Sequence, residues 1–283
     1  MKLDYHMHLE YGSYDVNWVK GFFDSAKAHN LNEIGFSEHS HTFPEFKDLY
    51  YQDLILDDSF VGKFQQQWLQ KNKFKYTLDD YFEFMTKLQN LGYNVKIGIE
   101  VCNFQNQEAV KKILTPYQFD YIIGSIHFLH GWAYDSSEIK AEWNNHTLEE
   151  IYDWYANEVE KLCASNIYDI LGHPFNIRLF KNIPEFDVTP YLIRVAEAVK
   201  KANMAIDINT GTFYRYPIAE ISPYPDFMQI ASEYNLPIIT SSDAHQPEHC
   251  GNYIDDAISY AKSFGYTQSL CFSQRKRKFV DLG

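Results

Sequence analysis

The chain has 283 residues, 45% hydrophobic and 22% charged, the balance of an ordinary globular enzyme and enough length for one α/β barrel of about 250 residues. A net charge of −13 argues against a general nucleic-acid binder, which needs a basic face, and no run approaches the roughly 18 apolar residues of a membrane span. The N-terminus, MKLDYHMHLEYG, has no apolar signal core, and Cys102, Cys163, Cys250 and Cys271 form no C-x-x-C pair, so a reducing cytoplasm is the expected compartment.

Short apolar runs recur along the chain, and most end in a residue that binds metals. The first, 2–5, leads into His6 and His8, and the second, 33–37, into His39. The stretch 41–91 is long for a connection and rich in aromatics, Phe64 and Trp68 among them. It is expected either to wall the site or to pack on the side of the fold. The third run, 94–99, ends at Glu100; the fourth, 121–126, at His127; the fifth, 168–172, at His173. The sixth, 204–208, leads into Asn209-Thr210-Gly211, and the seventh, 236–242, ends at Asp243 and His245. Helical patterns at 16–30, 148–165 and 190–202 lie between them. The basic run 275–278 (RKRK) is expected to be a solvated tail segment.

Ile-rich runs of this length suit buried parallel strands, and strands alternating with helices imply a parallel sheet with helices outside it. Seven such units predict a TIM-type barrel. Active sites of these barrels lie at the C-terminal ends of the strands, and six of the seven predicted strands deliver His, Asp or Glu there. Side chains alternate along a strand, so His6 and His8 share a face, as do Asp243 and His245. Glu100, among several histidines, is expected to bridge two ions. Imidazole with carboxylate suits zinc, manganese or iron. Two such cations about 3.5–4 Å apart activate water and clamp a phosphoryl oxygen, so the expected chemistry is hydrolysis of a phosphoester with no covalent phosphoenzyme. Arg178, just after the fifth strand, and Arg215, just after the sixth, are candidates for forked contact with phosphate. His130 and His249 fit no ligand position.

The ordered motifs H-M-H (6–8), S-E-H (37–39), G-I-E (98–100), S-I-H-F (125–128), G-H-P (172–174) and S-D-A-H (242–245) resemble the polymerase and histidinol phosphatase (PHP) family over nearly the whole chain. The resemblance implies a distorted (β/α)7 barrel spanning 1–283 as one domain. It implies one metal on His6, His8, Glu100 and Asp243, a second on Glu100, His127 and His173, and a third on His39 and His245, with Glu100, Asp243 and His245 serving catalysis. Relatives place a further ligand, often His, a few residues after H-x-H; here that position falls on Tyr14, with Glu10 nearby. The size and the contexts of His127 and His173 look like the stand-alone histidinol-phosphatase branch, which implies L-histidinol phosphate, or else another small phosphate ester, as substrate. Two other classes stay open at this point. H-x-H with strand-end histidines and an Asp also resembles amidohydrolases, against which G-I-E, D-x-H and the lack of an obvious bridging Lys speak. A metal-binding module without turnover is the other. The sequence leaves the oligomeric state open.

Overall fold

The computed structural model describes residues 1–71 and 73–283. Seven strands pair in parallel in the order of the chain: β1 (Leu3–Asp4), β2 (Glu33–His39), β3 (Val95–Cys102), β4 (Tyr121–Ser125), β5 (Ile170–Leu171), β6 (Ala205–Asn209) and β7 (Ile238–Ser241). The register sets His39 opposite Glu100 across β2 and β3. Between β1 and β7 the ladder shrinks to one parallel bridge, Met7 to Ala244, with the His8 N–H donating to the Ala244 carbonyl at 2.8 Å. The buried Asp4 carboxylate spans the rest of this seam, accepting from the Ser242 N–H at 2.9 Å, the Ser242 hydroxyl at 2.6 Å and the Gly251 N–H at 3.0 Å. The result is a nearly closed, TIM-like (β/α)7 barrel, as the alternating pattern predicts.

The helices are α1 (Val16–Ala28), α2 (Lys47–Asp53), α3 (Phe60–Gln70), α4 (Leu78–Asn90), α5 (Gln107–Leu114), α6 (Leu148–Ala164), α7 (Thr189–Lys201), α8 (Gly211–Arg215), α9 (Pro225–Glu233) and α10 (Ile254–Ser263). Their starts are written locally. Asp15 caps α1, and Thr77 with Asp80 and Thr147 with Glu150 form reciprocal capping boxes on α4 and α6, each satisfying N–H groups the helix leaves unpaired. The stretch 41–91 holds α2, α3 and α4. Of these, α4 is the crossover helix into β3, while α3 leans over the site: Gln65 donates to the carbonyls of Ile55 and Gly131 and accepts from the Ala133 N–H at 2.7 Å.

Period-two alternation explains why the site sits where it does. Within single strands a position near the barrel floor is small or apolar and the next on the same face is polar: Gly98 then Glu100, Ile123 then Ser125, Ala205 then Asp207, Ile239 then Ser241. The lower residues join a buried cluster of Leu3, Tyr5, Tyr121, Ile123, Ile170 and Ile239. Gly35 and Gly98 flank the Tyr121 ring so closely that a Cβ on either would collide with it. A dry floor thus supports a polar rim.

At the C-terminus the basic run is exposed, as expected of a solvated segment, but it belongs to an ordered hairpin and not to a free tail. Gln268–Ser273 (β8) and Lys276–Asp281 (β9) form an antiparallel hairpin whose Leu270 and Phe272 plug the floor cluster. The basic run forms the turn and second strand of this hairpin. Arg275 pairs with Asp169 at 2.9 Å, the Asp120 carboxylate accepts from the Gln274 N–H at 2.9 Å, and Arg277 donates to Asn203. The cations therefore tie the hairpin to the loops beneath the barrel. Cys102, Cys163 and Cys250 are buried, Cys271 is half-buried, and all four are free thiols. No described helix is long and apolar enough to cross a membrane.

Candidate metal centre

Strand ends bring all eight predicted metal-type ligands, His6, His8, His39, Glu100, His127, His173, Asp243 and His245, to one end of the barrel. Glu100 lies at their centre. Its Oε1 is 3.1 Å from His6 Nε2, 3.0 Å from His173 Nε2 and 3.5 Å from His127 Nε2; its Oε2 is 3.1 Å from His39 Nε2. The Ser125 hydroxyl donates to Oε1 at 2.6 Å. Asp243 Oδ1 is 3.4 Å from His8 Nε2. The groups Glu100–His127–His173, His6–His8–Glu100 and His8–His39–His245 each present three donor atoms within 4.8 Å of one another.

These residues fit divalent cations on the chemistry of their unsatisfied atoms. His6 Nε2, both ring nitrogens of His8, His39 Nδ1, His173 Nδ1 and Glu100 Oε2 are buried without a hydrogen-bond partner among the described residues. Buried polar atoms left so are costly, and a cation is the partner that lone pairs of both residue types accept. Burial holds His39 and His245 well below the ordinary imidazole range, so both are neutral, as a ligand must be. Burial also works against a charge on His6, but Glu100 and Asp243 outweigh it and raise that imidazole well above its usual value. Burial alone would push Glu100 up, yet His6, His127 and His39 hold it well below the carboxylate range.

A supporting layer orients the cluster. His6 Nδ1 meets Asp207 Oδ2 at 2.9 Å, which leaves its Nε2 toward Glu100. Carboxylate partners of this kind fix the tautomer of a metal-binding histidine. Asp207 in turn accepts from the Ser241 hydroxyl at 2.6 Å. His127 is held at Nδ1 by the Cys102 sulfur at 3.2 Å.

The structure resolves the position after H-x-H and adds two residues that the sequence reading did not assign, His41 and Asp207. Tyr14 does not take the extra ligand position: its ring stacks on Tyr76 at 4.2 Å and on Phe84 at 5.3 Å, in the aromatic layer under α4. Glu10 reaches the cluster instead, 3.6 Å from both His39 and His245 and 3.3 Å from His41. His41 itself was not anticipated. Neither follows from strand alternation: Glu10 lies in the turn after His8, and His41 lies in the short 3-10 helix Ser40–Thr42 that follows β2. Asp207 also escaped notice, though an acid inside an apolar strand core is a visible anomaly.

The two arginines separate. Arg215 joins the cluster, donating from Nη2 to Asp243 Oδ2 at 2.6 Å and lying 2.8 Å from His245 Nδ1 through Nη1. Its Nε is buried and unpartnered among the described residues. Arg178 is not brought to the cluster: it pairs with Glu220 at 3.2 Å and lies 3.8 Å over the Tyr224 ring, neighbours that hold its guanidinium aside, although its Nε too is buried without a partner among the described residues. His130 and His249 lie against Trp154 and Tyr214.

A parallel barrel with clustered imidazoles and carboxylates on its strand ends defines a TIM-like barrel of the divalent-metal class. The PHP domain model matches residues 4–211, and the chain belongs to the PHP family. It is 33% identical to the probable histidinol-phosphatase of Deinococcus radiodurans over 185 residues, 65% of this chain and 69% of that protein. The probable histidinol-phosphatase of Clostridium acetobutylicum is 23% identical over 74% of this chain and 82% of its own. In fold, the chain is similar to the histidinol phosphate phosphatase of Lactococcus lactis, solved with zinc, L-histidinol and phosphate, with a TM-score of 0.72, 23% identity and 98% of each chain covered.

Proposed function

We propose that this protein is a metal-dependent phosphomonoesterase that hydrolyses L-histidinol phosphate to L-histidinol and phosphate, a step of histidine biosynthesis, in the cytoplasm. The observation that carries the chemistry is the convergence of imidazoles on Glu100 beside an arginine with a free buried N–H. The substrate assignment draws on the relatives named above. Two or three divalent ions, zinc, manganese or iron, would be held by His6, His8, Glu100 and Asp243, by Glu100, His127 and His173, and by His39 and His245 with Glu10. Bound there, they supply polarisation of the phosphoryl oxygens and a water of lowered pKa.

The chain's own residues do the rest. Arg215 sets a cationic fork beside Asp243 and His245, where a phosphoryl oxygen can accept from its Nε. Water attacks phosphorus in line, the bond from phosphorus to the alcohol oxygen breaks, one proton of the water ends on the leaving alcohol oxygen, and the hydroxyl stays on the phosphate. Asp207 and Cys102 keep His6 and His127 turned inward. The test is a comparison of kcat/KM for histidinol phosphate with sugar phosphates, nucleotides, other amino-alcohol phosphates and an amide. Histidinol phosphate is expected to lead. Preference for another ester by about a hundredfold or more would overturn the substrate assignment, and preference for the amide would overturn the phosphatase.

A further inference from the structure

Two cavities meet at Asp135. One contains the cluster and Arg215. The other, of about 540 Å³, opens beside it and shares His39, His127 and Asp135 with it. Phe64 and Trp68 of α3 and Phe128 beyond β4 give the second cavity flat apolar walls. A phosphate seated on the cluster would leave its alcohol half a choice of two neighbouring spaces. The cavity by Arg178 is the smaller, about 230 Å³, and its one carboxylate, Glu220, is already paired with Arg178.

Asp135 is different. Its side chain is 25% exposed, its nearest cationic candidate is His127 Nε2 at 4.0 Å, and among the described residues no Lys or Arg pairs with it. The loop that carries it is fixed. Leu129 bridges Trp132, the Ala133 N–H donates to Gln65, and the Trp143 indole donates to the Tyr134 carbonyl at 2.9 Å. A half-buried carboxylate held in place without a partner is complementary to a bound cation. Behind the Trp68 wall Lys73 Nζ lies 4.6 Å over the ring, 3.0 Å from His41 and 3.8 Å from Glu10 Oε2, so its charge is already paired.

We propose that Asp135 is the specificity-determining residue for the leaving alcohol, and that it selects phosphate esters of vicinal amino alcohols by their ammonium group. This rests on the phosphatase reading above. In such an ester the nitrogen stands one carbon from the ester carbon, so it must lie at the mouth of the phosphate cavity, where Asp135 is. The remaining side chain extends between Phe64, Trp68 and Phe128, so a flat ring suits the space.

The test pairs L-histidinol phosphate with its deamino counterpart, which keeps the ring and the ester and lacks the amine. The metal-loaded wild type should prefer the amine by about ten- to a hundredfold in kcat/KM, the range of a hydrogen bond to a charged group. In Asp135→Asn that preference should collapse to near unity, with the loss falling on the amine substrate alone and the metal content unchanged. Asp135→Glu should recover part of it. Equal wild-type rates on the two esters, or an equal loss on both in Asp135→Asn, would overturn the proposal. Inhibition of wild-type p-nitrophenyl phosphate hydrolysis by the two free alcohols gives the same comparison without a variant: histidinol should inhibit the more tightly, and equal inhibition would overturn the proposal. A wild type active on p-nitrophenyl phosphate but on neither imidazole ester would instead defeat the histidinol assignment, an outcome distinct from a failure of Asp135.

Discussion

Replacing Glu100 with Gln should nearly abolish turnover. The substitution keeps the shape of the side chain and an acceptor for the Ser125 hydroxyl, and it removes one negative charge from the centre of the cluster. Four imidazoles have Nε2 within 3.0–3.5 Å of the Glu100 oxygens, so any cation that those rings hold also feels this charge. Unit charges about 4 Å apart interact by about 4 kcal/mol at the effective dielectric of such a site. At about 1.4 kcal/mol per tenfold change in rate, the loss in kcat/KM is about a thousandfold. The assay is phosphate release with zinc or manganese in excess, alongside metal analysis of the dialysed protein. The variant should retain less metal than wild type and should not recover at saturating metal. Near-normal rate and metal content would refute the bridging role.

Arg215→Ala should lower kcat/KM by the equivalent of about 1.5–3 kcal/mol with little change in melting midpoint, whereas Arg178→Ala should cost far less activity because its guanidinium is committed to Glu220 and Tyr224; steady-state kinetics on both variants decides this. Burial pushes the Asp4 carboxyl up to about 6, above its unfolded value of 3.8. The folded protein therefore keeps that proton longer than the unfolded chain does, and stability falls as pH rises through this window. Relative to Asp4→Asn, which does not titrate, wild type should lose about 2.4 kcal/mol between pH 4 and 7, read from denaturant melts; a constant difference would contradict it. Phe272→Ala should destabilise by about 3–5 kcal/mol, since the ring plugs the barrel floor; a melting midpoint unchanged from wild type would mean the hairpin is dispensable.

The barrel was legible because its strands are written as apolar runs whose ends carry the polar chemistry. The predicted run 33–37 became Glu33–His39 and the run 204–208 became Ala205–Asn209, small shifts that leave the inward face intact. The ligand set was legible for the same reason: strand-end position is a local property. What escaped depends on contacts between distant segments. Glu10 and Tyr14 are four residues apart, and only the path of the chain after His8 decides that the acid faces His39 while the ring joins Tyr76 and Phe84. Arg178 and Arg215 both follow a strand, and the presence of Glu220 and Tyr224 removes one of them from the cluster. The basic run 275–278 reads as solvated by composition, yet Asp169 and Asn203 fix two of its cations. Asp135 follows no strand end, and its place between two cavities emerges only when α3 closes against its loop.

Phosphate release from L-histidinol phosphate, followed on chelated protein and again as zinc or manganese is returned in steps, tests the account most directly. Activity should vanish with the metal and return in proportion to the metal bound, saturating near two to three ions per chain. Undiminished hydrolysis after metal analysis has confirmed removal would contradict it.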